Sequence, residues 1–219
     1  MTTPRLPSSA FDRYDESPDA NFYEQPRFVT HIDDKAIEAV TQLYREFFTP
    51  NGNILDLMSS WISHLPPEVE YTSVTGLGMN SEELAANKRL TRWLIQDLNH
   101  ESILPFADNE FDACGICVSI QYLTNPSDVL REVARVLKSG APIVITFSNR
   151  CFPTKAVAIW QALSDHEHAL LVQRYLQEAG GWGNIKTLNR TQRSFHADPL
   201  YAVVATTSKP QPTTAEIKQ

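Results

Sequence analysis

The sequence predicts an α/β fold, a mainly parallel sheet covered by helices on both faces. Three observations predict it. Short apolar runs alternate with helical spacings of about 10–15 residues, the pattern of successive strand–helix–strand units. Runs such as "FDACGICVSI" are apolar along most of their length, as strands covered on both faces require. The two last strand-like pieces, 184–190 and 201–207, lie close enough in the chain to pair antiparallel.

The elements follow in order. Residues 1–20, "MTTPRLPSSAFDRYDESPDA", have loop composition and no period, and read as a mobile or loosely draped arm. From Ile32 the apolar residues Ile32, Ala36, Ile37, Val40, Leu43, Tyr44 and Phe47 make one helical stripe, with Asp33 and Asp34 at the dipole-favoured start and "TPNG" at the end. "NILDLM" is the first strand, followed by a weak helix or turn around "WISHL". "EYTSVTGLG" is the second strand, and Asn80 or Ser81 caps the helix "SEELAANKRL". A short strand "RWLIQDL" precedes the loop "LPFADNEFD" and the strand "FDACGICVSI". Helix "SDVLREVARVL" then closes at Lys138-Ser139-Gly140, with Gly140 as its left-handed cap. "PIVITFS" is the next strand, and one long helical stretch covers about 154–179. The chain divides into an arm or lid at 1–31, a main domain at 32–207 and a disordered tail at 208–219.

Composition narrows the function. A net charge of −7 and a pI near 5.3 argue against a phosphate-backbone binder, so no nucleic-acid partner is expected. No apolar run approaches the roughly 18 residues of a membrane span and no positive-then-apolar leader opens the chain, so a cytoplasmic protein without a membrane partner is expected. Three cysteines suggest no disulfide framework, and Cys114 and Cys117 sit inside a strand, where they read as buried thiols rather than zinc or redox ligands. His166 and His168, two apart on a helix, point to different faces, so no metal is expected. Ser-His-Asp, H-E-x-x-H and phosphate-loop patterns are missing.

In such a sheet the ligand lies beyond the carboxyl ends of the strands. The motifs collect there. Residues 97–148 read "DLNHESILPFADNEFDACGICVSIQYLTNPSDVLREVARVLKSGAPIVITFS". They carry an Asp, an "LPF-x-D-x-FD" run, a strand, an "hhL-x-x-P" turn and an "LREhxRVLKPGG"-like helix end. On these motifs the stretch 54–148 resembles the class I S-adenosylmethionine-dependent methyltransferases, in the small-molecule branch called type 11. The resemblance implies a Rossmann-like seven-stranded sheet whose last strand is antiparallel, with S-adenosylmethionine as cofactor. It places Asp56 near the cofactor's amino-acid part, Asp97 and the Leu98 amide at the adenine, and Ser119 to Tyr122 beside the methionine and the methyl acceptor.

Two departures stand out. The glycine loop that follows the first strand in relatives is replaced by Met58, Ser59, Ser60 and Trp61, and Gly78 stands where an acid should hold the ribose. Met79 and Asn80 complete that second strand end, where Asn80 or Ser81 offers a neutral substitute for the missing carboxylate. Ser59 and Ser60 either replace the glycine amides around the cofactor, with Trp61 beside its methionine chain, or belong to a loop closed over a pocket that Met58 and Trp61 fill. Function divides the same way: methyl transfer to a small-molecule acceptor, or an inactive scaffold of this fold that binds a partner. A nucleotide-dependent reductase is a third reading.

Around the acceptor, Arg150 is a candidate for an acidic substrate or a loop residue satisfying carbonyls, with Cys151 and Phe152 beside it. Tyr23, Tyr122 and Phe152 are candidate aromatic walls for the sulfonium. His31, His64 and Tyr122 are the candidate general bases. "NFYEQPRFVTHID", with Arg27 and His31, reads as a lid over the cofactor or as a hydrophobic staple with surface charge.

Overall fold

The computed structural model describes residues 6–192 and 197–208. Its arm holds a 3-10 turn at Ser8–Phe11 and one helical turn, α1 (Asp19–Phe22). The arm is not loosely draped. Lys155, with no exposed surface, reaches Asp19 at 3.0 Å and Asp15 at 3.1 Å, and Arg13 reaches Asp19 at 2.8 Å. The Asp15 amide donates to the Thr154 carbonyl at 2.9 Å, and the Ala158 amide to the Asp12 carbonyl at 2.8 Å. Polar composition signals a loop, but these charges have partners in a distant part of the chain. Residues 1–5 of the expected arm and all of the expected tail after Ser208 lie outside the described residues.

Asp33 accepts from the Ala36 amide and starts α2 (Asp34–Phe47), whose apolar stripe is buried. β1 (Asn53–Ser59) and β2 (Ser73–Gly78) follow, then α3 (Ser81–Ala86), β3 (Arg92–Ile95) and β4 (Ala113–Cys117). No helix forms around Trp61 to Leu65. Asn80 caps α3, accepting from the Glu82 and Glu83 amides at 3.0 Å. α4 (Pro126–Val136) leads to β5 (Pro142–Phe147). Leu137 is the C-cap of α4, and Gly140, with φ of 76°, bends the turn into β5. The expected single helix over 154–179 is two, α5 (Ala158–Ala162) and α6 (Asp165–Ala179). Ser164 and Glu167 form a reciprocal capping box that ends one and begins the other.

β6 (Trp182–Asn189) and β7 (Tyr201–Thr207) complete a seven-stranded sheet in the order β3-β2-β1-β4-β5-β7-β6. The first five strands run parallel, and β7 is antiparallel to both β5 and β6. Alternate strand residues face opposite layers. Ile54, Ala113 and Val144 pack with α2, whereas Leu55, Cys114 and Ile143 pack with α4 and α6. Strand order reverses between β1 and β4, so a crevice opens at their carboxyl ends. None of the described helices is long and apolar enough to cross a membrane.

Candidate active site

The crevice holds a cavity of about 290 Å³, lined from the ends of β1, β2, β3 and β4 and roofed by the arm. Its floor is made without glycine in the first loop. Met58 adopts φ of 58°, and the β1–β2 register slips between Leu57 and Ser59. Val118, just beyond β4, takes φ of 47°. Such left-handed backbone is costly for side chains of this size and persists where the surroundings over-determine it. Both bends sit at strand ends that border the cavity, and beyond the first Ser59 still pairs with Gly78.

The serines beside Met58 point into the protein scaffold. Ser59 Oγ donates to Asp56 Oδ2 at 2.6 Å, Ser63 Oγ donates to the same oxygen, and Ser60 Oγ donates to Glu83 Oε2 at 2.6 Å. Asp56 therefore lies beneath the loop, near which it was expected, and does not itself line the cavity. Burial raises its pKa against the opposing effect of the two serine hydroxyls. Because the folded value is raised, Asp56 favours folding at low pH, and that contribution fades as pH rises through the folded pKa. D56N is expected to melt no lower than the natural protein at pH 8. It should gain about 1.4 kcal/mol for each unit by which folding raises the carboxyl's pKa, as read in thermal scans between pH 4 and 8. A large loss at pH 8 would refute this account.

Trp61 is also absent from the cavity. Its indole Nε1 donates to the Val29 carbonyl at 3.0 Å, and its ring meets Phe28 edge-on at 6.3 Å. It pins the arm from outside. The remaining sequence candidates, Met58, Ser59, Ser60, Gly78, Met79, Asn80, Asp97, Leu98 and Ser119, all line the cavity. So do Tyr23, His31, Tyr122, Arg150, Cys151 and Phe152. His64 does not, and burial takes its pKa down to about 4.

Several groups face the cavity with unused hydrogen-bonding capacity. Ser119 Oγ is buried without a partner among the described residues. One Asp97 oxygen accepts from the Asn99 amide at 2.9 Å, and the other has no donor among the described residues. Glu83, at 8% exposure, accepts from Ser60 and from the Arg27 amide at 2.7 Å and keeps lone pairs free. Asp19, by contrast, is saturated by Arg13, Asn99 and Lys155.

Burial lowers the His31 pKa, with Arg27 reinforcing and Glu83 opposing, so its imidazole is neutral and able to accept a proton near pH 7. Burial raises Tyr122, whose hydroxyl accepts from the Phe152 amide at 2.9 Å; it stays protonated and cannot serve as a base. Burial pushes Cys117 up to about 12, which leaves an inert thiol at the cavity wall. Arg150 is 61% exposed and paired with Asp198 at 2.8 Å, so its charge is already matched.

Asp19, Glu83 and Asn99 line the cavity although the sequence did not single them out, as does Arg27 of the expected lid. Asn99 joins three segments, donating to Asp19 and to the Tyr122 carbonyl and accepting from the Thr124 amide. No local motif marks it.

Residues 59–145 match the model of a family described as "Methyltransferase domain". A ubiquinone/menaquinone biosynthesis C-methyltransferase of Geotalea daltonii is 31% identical over 109 residues, 45% of this chain and 46% of that protein. The chain thus spans about half the length of the curated relative it matches. Among solved structures, the [4+2]-cyclase SpnF superposes with a TM-score of 0.60 at 14% identity, covering 87% of this chain and 92% of the other. The putative methyltransferase bound to the Haloferax volcanii Trm112 activator gives 0.60 at 14% identity, covering 82% and 92%. Phosphoethanolamine N-methyltransferase 2 of Haemonchus contortus, solved with S-adenosyl-L-methionine, gives 0.56 at 15% identity, covering 80% and 52%. At these identities the structures establish the fold alone. The matched segment and the strand order around it agree with that fold, and over this segment the chain is similar to methyltransferases.

Proposed function

We propose that the chain transfers a methyl group from S-adenosylmethionine to a small organic acceptor. The observation that carries this reading is the cavity itself. It stands open at the carboxyl ends of β1 to β4, and the indole that would have filled it is turned outward to the arm. The groups with hydrogen-bonding capacity to spare at the cavity fit the cofactor. Asp97 and the Leu98 amide would take the adenine, Glu83 the ribose hydroxyls, and Ser59, Ser60 and Ser119 would border the amino-acid end. When bound, the cofactor supplies an activated sulfonium methyl, so the protein's task is alignment, worth several kcal/mol of barrier. Tyr23, Tyr122 and Phe152 wall the acceptor side, and His31 is the base for an acceptor that must lose a proton. The arm acts as a lid that excludes water. A cytoplasmic setting belongs to the same proposal, consistent with three free thiols.

Calorimetry tests it. S-Adenosylmethionine and S-adenosylhomocysteine are each expected to bind at one site and a nicotinamide dinucleotide is not. D97N should weaken S-adenosylhomocysteine by about tenfold, the loss of one charge-assisted hydrogen bond. Absence of heat with both adenosyl compounds would leave the inactive scaffold as the answer.

A further inference from the structure

Among the described arginines, all but Arg27 and Arg89 pair with a carboxylate. Arg89 bonds the Pro66 and Val69 carbonyls away from the cavity. Arg27 lines the cavity. Its guanidinium donates only to the Phe22 carbonyl at 2.8 Å and the Gln25 carbonyl at 3.4 Å. Its other donors have no protein acceptor among the described residues. Glu83 is engaged by the Arg27 backbone amide and makes no ion pair with the guanidinium.

The surroundings of this cation are aromatic. The Arg27 guanidinium carbon lies 4.4 Å from the Phe22 ring centre, 5.4 Å from Phe152 and 5.9 Å from Tyr23. Phe152 meets Phe22 at 5.1 Å, His31 at 5.1 Å and Tyr122 at 5.9 Å. The cation is therefore held by ring faces and two carbonyls in a residue that lines the cavity. Half-buried charge without a counter-ion is costly, and a ligand carboxylate would match the fork in two parallel bonds. The nearby Asp19 does not supply that match, because Arg13 and Lys155 already neutralise it.

We infer that Arg27 binds an anionic group of the methyl acceptor, and that the acceptor is a planar, unsaturated carboxylate whose body lies against Phe152 and Tyr122. Arg27, not Arg150, is then the residue that selects the substrate's charge. This rests on the methyltransferase reading only in naming the ligand an acceptor. A carboxylate on the cofactor itself is the other source of the same chemistry, and the experiment separates the two.

Benzoate and its neutral isostere benzamide are titrated into the full chain, with and without saturating S-adenosylhomocysteine, for the natural protein, R27M and R27K. Benzoate is expected to bind the natural protein at least tenfold more tightly than benzamide. R27M should weaken benzoate at least tenfold while leaving benzamide and S-adenosylhomocysteine within twofold, and R27K, which keeps charge but loses the fork, should fall between. If R27M melts more than 5 °C below the natural protein, R27K carries the comparison, with a loss of about three- to tenfold for benzoate alone. Equal binding of benzoate and benzamide, or binding of neither, overturns the inference. So does an R27M loss that falls on S-adenosylhomocysteine instead. Failure of the natural protein to bind S-adenosylhomocysteine would sink the enzyme reading separately, since the benzoate–benzamide comparison without it still decides whether Arg27 makes an anion site.

Discussion

Replacing Asp19 by asparagine is expected to release the N-terminal arm at a cost of about 3–5 kcal/mol, the penalty of leaving buried charge without its partner. Asp19 is 6% exposed, and two cations converge on it. Arg13 is nearly as buried and Lys155 is entirely so. Asparagine keeps the shape and can still accept from Asn99, but it cannot neutralise either cation. Asp15, at 3.1 Å from Lys155, retains only part of the compensation. Because Arg13 is covered in the natural protein, trypsin cleavage after Arg13 reports the opening. D19N should be cut at least tenfold faster, with α2 and the sheet still folded by circular dichroism. Unchanged cleavage would mean that the arm is held by its backbone bonds to Thr154 and Ala158 alone.

The same network sets a pH dependence with a defined sign. Burial alone would raise the Asp19 pKa, but hydrogen bonds from Arg13, Asn99 and Lys155 outweigh it and hold the carboxyl below its ordinary range. Bonds from Ser17 and Lys155 lower Asp15 to about 2. A depressed folded pKa means that the contribution is complete above the unfolded value, about 3.9, and is lost as pH falls through the folded one. The arm should therefore stay closed at pH 5 and loosen between roughly pH 4 and 2. D19N should lose most of that acid dependence.

The sheet is legible in the sequence because each level of it agrees with the next. Apolar runs gave the strands, Asp33 and Asn80 stood where caps are needed, and the closing pair was close enough to form a hairpin-like edge. The break between α5 and α6 was readable as well, in Ser164-x-x-Glu167, and a continuous apolar pattern masked it. The site was readable only where it is built from strand ends. Met58, Ser59, Gly78, Asp97 and Ser119 follow from topology, since the crevice must open beside them. Asp19 and Glu83 do not follow, because their roles depend on Lys155, Ser60 and Arg27 arriving from elsewhere in the chain. Trp61 misled for a related reason. The residues just before it, Met58 to Ser60, line the cavity, but its hydrogen-bond acceptor, the Val29 carbonyl, lies in the arm. Nothing local distinguishes a tryptophan that fills a pocket from one that fastens the lid over it.

Restoring the acid that relatives carry at the end of the second strand should damage this protein instead of improving it. A Cβ on Gly78 would lie 2.2 Å from the Ser59 carbonyl oxygen and 3.2 Å from Leu84 Cδ2. Ser59 is the residue paired with Gly78 across β1 and β2, immediately after the bulge at Met58. The obstacle is backbone that cannot rotate away, so the strands must separate and the cavity floor must move with them. Overpacking of this kind costs about 1–3 kcal/mol and occasionally more. G78A already carries the clash, and G78D adds a carboxylate next to buried Leu77 and Leu84. Urea unfolding should place G78A about 1–3 kcal/mol below the natural protein and G78D lower still, and calorimetry should show weaker S-adenosylhomocysteine binding in both. A G78D protein of natural stability with tighter binding would prove that the ribose position was merely vacant. The expected loss would instead show that β1 closes onto β2 too tightly for a side chain there, which leaves Glu83, in the first turn of α3 and held at the cavity wall by Ser60 and the Arg27 amide, as the carboxylate proposed for the ribose.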